Sequence, residues 1–131
     1  MLIGDLAKLT GLSKDGLRHY EAMGLIHSRQ VRAGTRHYCH YDETTLERLE
    51  LIALGKRLQF SLREIAEFLT PLMRDQITRE ERSAILLQKV GQIDQRIADL
   101  QAARQELVTL AGAPDKGVVD QRLKQLGLAL T

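Results

Sequence analysis

The chain has 131 residues, about one domain's worth, with 44% hydrophobic residues, 27% charged residues and a formal net charge of +2. No run of about eighteen apolar residues exists, which excludes a transmembrane helix, and the opening MLIGDLAKLTG, acidic early and without a long apolar run, does not read as a secretory signal. A single cysteine, Cys39, excludes an internal disulfide and a thiolate metal or iron–sulfur site built by this chain alone, so a reducing, cytoplasmic setting with no cofactor is expected.

Aromatic residues make up 4%, with no Trp, and there are only 2 prolines, which favours helices and an elongated molecule over a bulky globular core. Charge is uneven. Residues 1–41 carry six basic against three acidic side chains, a net +3, together with all four histidines and all three tyrosines. Residues 42–70 come to −2 and residues 71–131 to +1. A basic end mixed with Tyr and His suits a phosphate-binding surface if the fold organises it.

In chain order, Ile3, Leu6, Ala7 and Leu9 recur at helical spacing and Gly11 stops the first helix. Ser13 caps a second helix that runs toward Gly24. Two short helices joined by a glycine-containing turn form a helix-turn-helix, with Ile3, Leu6, Ala7, Leu12, Leu17 and Leu25 as its small core. The second helix then presents Lys14, Arg18, His19 and Tyr20 outward, at a width that suits the DNA major groove. His27 to Tyr41 reads as a basic β-hairpin turning at Ala33-Gly34, a wing able to grip phosphates.

Asp42 caps a third helix with Leu46, Leu49, Ile52, Ala53 and Leu58 on its apolar face. Ser61 to Glu64 is a capping box for a fourth helix carrying Ile65, Phe68 and Leu69, which Thr70-Pro71 should end. Thr78 to Glu81 is a second capping box, opening a long helix to about Ala111. Along it Leu86, Val90, Ile93, Ile97, Leu100, Leu107 and Ala111 repeat at heptad spacing, interrupted at Arg104. A lone helix would expose this seam to water, so a second copy of the chain is the expected partner; folding back on the N-terminal region is the alternative. Gly112-Ala113-Pro114 breaks the helix, and Val118, Val119, Leu123, Leu126 and Leu130 mark a last short amphipathic helix, to pack on the dimer or on the fourth helix.

Several motifs, in one order and spacing, resemble the MerR family of bacterial transcription regulators. They are Ile3-Gly4-Asp5-Leu6-Ala7, Gly11-Leu12-Ser13, Leu17-Arg18-His19-Tyr20-Glu21-Ala22-Met23-Gly24-Leu25-Ile26, Arg36-His37-Tyr38, Leu46-Glu47-Arg48-Leu49 and Phe60-Ser61-Leu62-Arg63-Glu64-Ile65. The resemblance implies a mainly α fold: a winged helix-turn-helix over residues 1–70, a connector and antiparallel coiled-coil helix over 71–112, and a short tail over 113–131. It also implies a homodimer on double-stranded, palindromic promoter DNA, distorting an overlong spacer so that RNA polymerase can engage. Arg18 and Tyr20 stand at recognition-helix positions, with Ser13 and Lys14 at that helix's start. Arg36 and Tyr38 stand at wing positions that hold phosphates, and Arg57 where a basic phosphate contact is common. An excisionase-like architectural protein without a direct transcriptional role is the alternative.

Departures from the family pattern bear on the operator and the signal. His19 stands where an aromatic is usual, and Asp15 and Gly16 replace a basic and a β-branched residue. Gln59 replaces a glycine before Phe60, which should strain that turn. The stretch 112–120, where metal-sensing members carry cysteines, has neither Cys nor His. The third helix reads Ile52-Ala53-Leu54 where aldehyde-responsive members carry a cysteine, and residues 113–131 are too few for a drug-binding domain. The effector is therefore unnamed. Cys39 is either a redox or electrophile switch on the wing or simply a small strand residue; strand alternation splits neighbouring residues across faces, against a metal site made of His37, Cys39 and His40 together. An enzyme using Cys39 would lack an orienting third group.

Overall fold

The computed structural model describes residues 1–113 and 116–127. In order they form α1 (Ile3–Thr10), α2 (Lys14–Ala22), β1 (Arg29–Ala33), β2 (Arg36–His40), α3 (Glu43–Arg57), α4 (Leu62–Met73), α5 (Arg79–Ala111) and α6 (Lys116–Gln125). The chain divides into two compact units, residues 1–84 and residues 85 onward.

In the first unit, α1 ends at Gly11, whose φ of 75° closes the helix through its N–H to the Ala7 carbonyl. Two residues later Ser13 starts α2, its Oγ accepting from the Gly16 N–H at 2.9 Å. α1 packs on α2. The buried residues here are Leu6, Leu17, Tyr20, Leu25, Ile26 and Tyr41. Ile3, Ala7 and Leu12, expected in that core, are only half-buried.

β1 and β2 pair antiparallel, Arg29 opposite His40 and Ala33 opposite Arg36. The turn is therefore Gly34-Thr35, one residue later than Ala33-Gly34. Gly34 has φ 67°, and left-handed backbone at the first turn residue is what a two-residue Gly-X hairpin needs. At the other end Leu2 bridges to His40, and the Tyr41 N–H donates to the Met1 carbonyl at 2.7 Å. The base of the wing is thus tied to the start of α1.

α3 begins at Asp42, whose carboxylate accepts from the Thr44 N–H at 3.0 Å. Its buried face is Thr45, Arg48, Leu49, Ile52 and Gly55. Leu46 is half-buried, and Ala53 and Leu58, expected on that face, are exposed. Ser61 and Glu64 complete the capping box of α4: Glu64 N–H to Ser61 Oγ at 3.1 Å, Ser61 N–H to Glu64 Oε1 at 2.9 Å. α4 buries Ile65 and Leu69, and Phe68 meets Phe60 edge-on with centroids 5.3 Å apart.

α4 does not end at Thr70-Pro71. It continues to Met73: Pro71 cannot donate to the preceding turn, but the carbonyls of Thr70 and Pro71 still accept from Arg74 and Gln76. Thr70 also has a tertiary task. Its hydroxyl accepts from Arg48 Nη2 at 2.9 Å, while Arg48 Nη1 donates to the Leu25 carbonyl at 3.1 Å. One buried guanidinium so joins the segment leaving α2 to the far end of α4. At the start of α5 the Thr78 Oγ accepts from the Glu81 N–H, but the Glu81 carboxylate bonds the Thr78 hydroxyl instead of its backbone.

In the second unit α5 exposes much of its apolar seam. Leu86, Val90, Ile97, Leu100 and Leu107 are between 45% and 67% exposed, and Ile93 is half-buried. α6 returns against the end of α5, Arg122 Nε donating to Glu106 Oε1 at 2.6 Å. Of the apolar positions read for this last helix, Leu123 is half-buried and Leu126 exposed; Val118, Val119 and Leu130 lie outside the described side chains.

Candidate nucleic-acid interface

At about 100° per residue, Lys14, Asp15, Arg18, His19 and Ala22 fall on one arc of α2 and Leu17 and Tyr20 on the other. The structure agrees: the first five are exposed and the last two buried. Tyr20 is therefore corrected. Three residues after Leu17, it belongs to the core at 7% exposure, with its hydroxyl turned toward Lys56. There it accepts from Lys56 Nζ at 3.4 Å, with the ammonium 6.0 Å from the ring centroid.

On the outward arc Arg18 Nη1 lies 3.3 Å from Asp15 Oδ1, their side chains 63% and 96% exposed. His19 is exposed beside them. Ser13 is itself exposed, but its Oγ is engaged in capping, so its first duty is to start the helix in the right place.

The wing's register sets its faces. Val31 stands opposite Tyr38 and Ala33 opposite Arg36, so Arg36 and Tyr38 share one face, and His37 and Cys39 share the other with Arg32 and Gln30. Arg36 and Tyr38 are both exposed. Cys39 is a free thiol, half-buried. A cleft of about 310 Å³ brings Lys14, Tyr38 and Cys39 together with Leu2 and Gly4, so the start of α2 and the outgoing wing strand border one depression. Arg57 is exposed in the last turn of α3, on a different element. Beside it Gln59 holds φ 72°, the left-handed strain expected where the family carries glycine.

Two basic residues were not legible as part of this region. Lys56 is next to Arg57 in sequence but belongs with Tyr20, and a cation within a turn of a helix end is the signal that could have raised it. Arg48 sits on the i, i+3, i+4 face with Thr45, Leu49 and Ile52, so its burial was readable from spacing, though not its partners. Behind α2, burial and the Glu21 carboxylate push the Tyr41 phenol up to about 12, so it stays a protonated donor. Among the described residues no cluster of three or more His, Cys, Asp or Glu could hold a metal ion, and no helix is long and apolar enough to cross a membrane.

Comparison with known proteins adds to this geometry. Residues 1–71 match the family described as MerR HTH family regulatory protein, and residues 46–110 the family described as MerR, DNA binding. The HTH-type transcriptional regulator CueR of Escherichia coli is 33% identical over 113 residues, 86% of this chain and 82% of its own. A probable heavy metal-dependent transcriptional regulator of Haemophilus influenzae is 35% identical over 107 residues, 82% of each chain. The transcription regulator PbrR691 of Ralstonia metallidurans, solved with lead(II), matches with a TM-score of 0.75 and 28% identity, over 88% of this chain and 89% of that one.

Proposed function

The chain belongs to the MerR family of DNA-binding transcription regulators, and from that premise we propose that it acts as a homodimer that reads a palindromic promoter site and distorts it. The carrying observation is the outward arc of α2, with Lys14, Arg18 and His19 exposed and no core duty, bordering the same cleft as the wing's Tyr38. α2 enters the major groove, and Arg36, Tyr38 and Arg57 take flanking phosphates. Lys56 holds the Tyr20 hydroxyl at the edge of this surface.

In this reading residues 1–70 bind DNA, 71–112 connect and dimerise, and 113–131 form a short tail. Two copies of α5 pair along Leu86, Val90, Ile93, Ile97, Leu100 and Leu107. Covering about six aliphatic side chains per helix, each worth roughly 1.5–3 kcal/mol, exceeds the cost of association. The pair sets two α2 helices on neighbouring turns of one duplex, and bending the spacer between them presents the promoter to RNA polymerase. The protein so acts in the cytoplasm, on DNA and without chemistry of its own. The signal is a separate question. One relative is named as heavy metal-dependent and another was solved with lead(II), yet Cys39 is the one thiol in this sequence and stands on the wing. This argues for a signal other than a soft metal held by several thiolates.

The test uses duplexes enriched by the full chain from a random pool. Arg18→Ala should weaken binding and reduce the salt slope by about one, and Ile97→Asp should give monomers in sedimentation. Unchanged slope and affinity would remove Arg18 from the surface, and persistent dimers would remove the seam. Transcription from a promoter carrying the enriched site should change on adding protein. Binding without that change would favour the architectural alternative.

A further inference from the structure

On the reading that α2 lies in the major groove, we propose that Asp15 is a specificity-determining residue that accepts from the cytosine amino group and keeps Arg18 from holding DNA indiscriminately. Asp15 is a carboxylate on an arc otherwise made of Lys14, Arg18, His19 and Ala22, and its side chain is 96% exposed. It has no part in capping, which Ser13 performs. Its one ion pair, to Arg18 at 3.3 Å, is exposed on both sides, and such pairs contribute little stability. Little therefore opposes its release when DNA arrives.

Against a polyanion an acceptor-only group is repelled everywhere except at a donor. In the major groove the only donors on base edges are the amino groups of cytosine and adenine. Adenine sets the N7 acceptor beside its amino group, which faces the second carboxylate oxygen with like charge. Cytosine sets a C–H there. Guanine and thymine present acceptors alone and are rejected. Cytosine is thus the base that Asp15 tolerates, and on the paired or neighbouring guanine Arg18, three residues along the same face, has the fork geometry for O6 and N7.

The same pair works in the absence of the right base. On arbitrary sequence the Asp15 carboxylate beside Arg18 finds no donor and repels the phosphates and acceptor edges around it, so contact there is weakened. A correct site separates the two charges and gives each a partner. Discrimination arises here by penalising wrong sequences as well as by favouring the right one.

Selection from a random duplex pool, run in parallel with the full-length wild type, Asp15→Ala and Asp15→Asn, tests this. Wild type should enrich a C at one position of each half-site, by on the order of ten-fold over T. Asp15→Ala should lose that preference alone and bind unselected duplex several-fold more tightly. Asp15→Asn should move the preference to A, the base an amide pairs with. Identical base preferences in wild type and Asp15→Ala, with Arg18→Ala still weakened, would overturn the assignment and leave α2 as the reader. No dependence on either residue would overturn the placement of α2 itself.

Discussion

Substituting Gly55 by alanine measures how closely α3 and α4 are pressed together. A β-carbon at 55 would stand 2.8 Å from Ile65 Cδ1 and 2.9 Å from Ile65 Cγ1, inside the range at which carbon atoms repel. Ile65 is 1% exposed, so it has no solvent side to swing toward. Forcing a methyl into such a core costs typically about 1–3 kcal/mol. Against this, alanine gains about 1 kcal/mol over glycine in a helix interior. The net expectation is a loss of up to about 2 kcal/mol. Urea unfolding followed by far-ultraviolet circular dichroism would read it as a lower midpoint at constant m. The Ile65→Ala background deletes both Cδ1 and Cγ1, and there the loss should fall by half or more. Equal losses in both backgrounds would mean that the close approach does not set the cost, and the packing argument would fail.

Gln59→Gly should raise stability by about 1 kcal/mol, because φ 72° costs a side chain roughly that much and glycine almost nothing; a thermal midpoint that does not rise would show the turn to be unstrained. For Asp42 the sign follows from its partners. The Thr44 hydroxyl, then the Thr44 and Thr45 amides, hold its carboxyl below the ordinary carboxylate value despite some desolvation. Its contribution is therefore complete above that ordinary value and is lost as the pH falls through the lower folded one. Asp42→Asn keeps a capping oxygen without the charge, so its stability gap to wild type should close as the pH falls below the ordinary carboxylate range. A gap independent of pH would contradict the assignment.

What the sequence disclosed was mostly what neighbours in the chain decide. Ser13, Asp42 and Ser61 were readable as helix starts because a cap bonds an amide two or three residues away. The hairpin was readable too, though its turn lies one residue later, since the choice between Ala33-Gly34 and Gly34-Thr35 rests on cross-strand pairing. The strain at Gln59 followed from the resemblance, in which glycine is usual at that turn. Where the sequence misled, a distant partner decided. Tyr20 looked like a surface reader until α2's inner arc met the core, and Pro71 looked like a stop although only one N–H was missing. The Arg48 bonds to Leu25 and Thr70 span more than twenty positions and left no local trace.

Leu17 and Tyr20 are buried in the core and Glu21 faces Tyr41, so the inner arc of α2 carries its packing. The five outward positions are exposed and not part of that packing. Descendants of this gene can rewrite them one at a time, acquiring new genomic addresses while the scaffold that displays them is inherited intact. A duplicated copy would need very few changes to stop competing with its parent for the same stretch of chromosome.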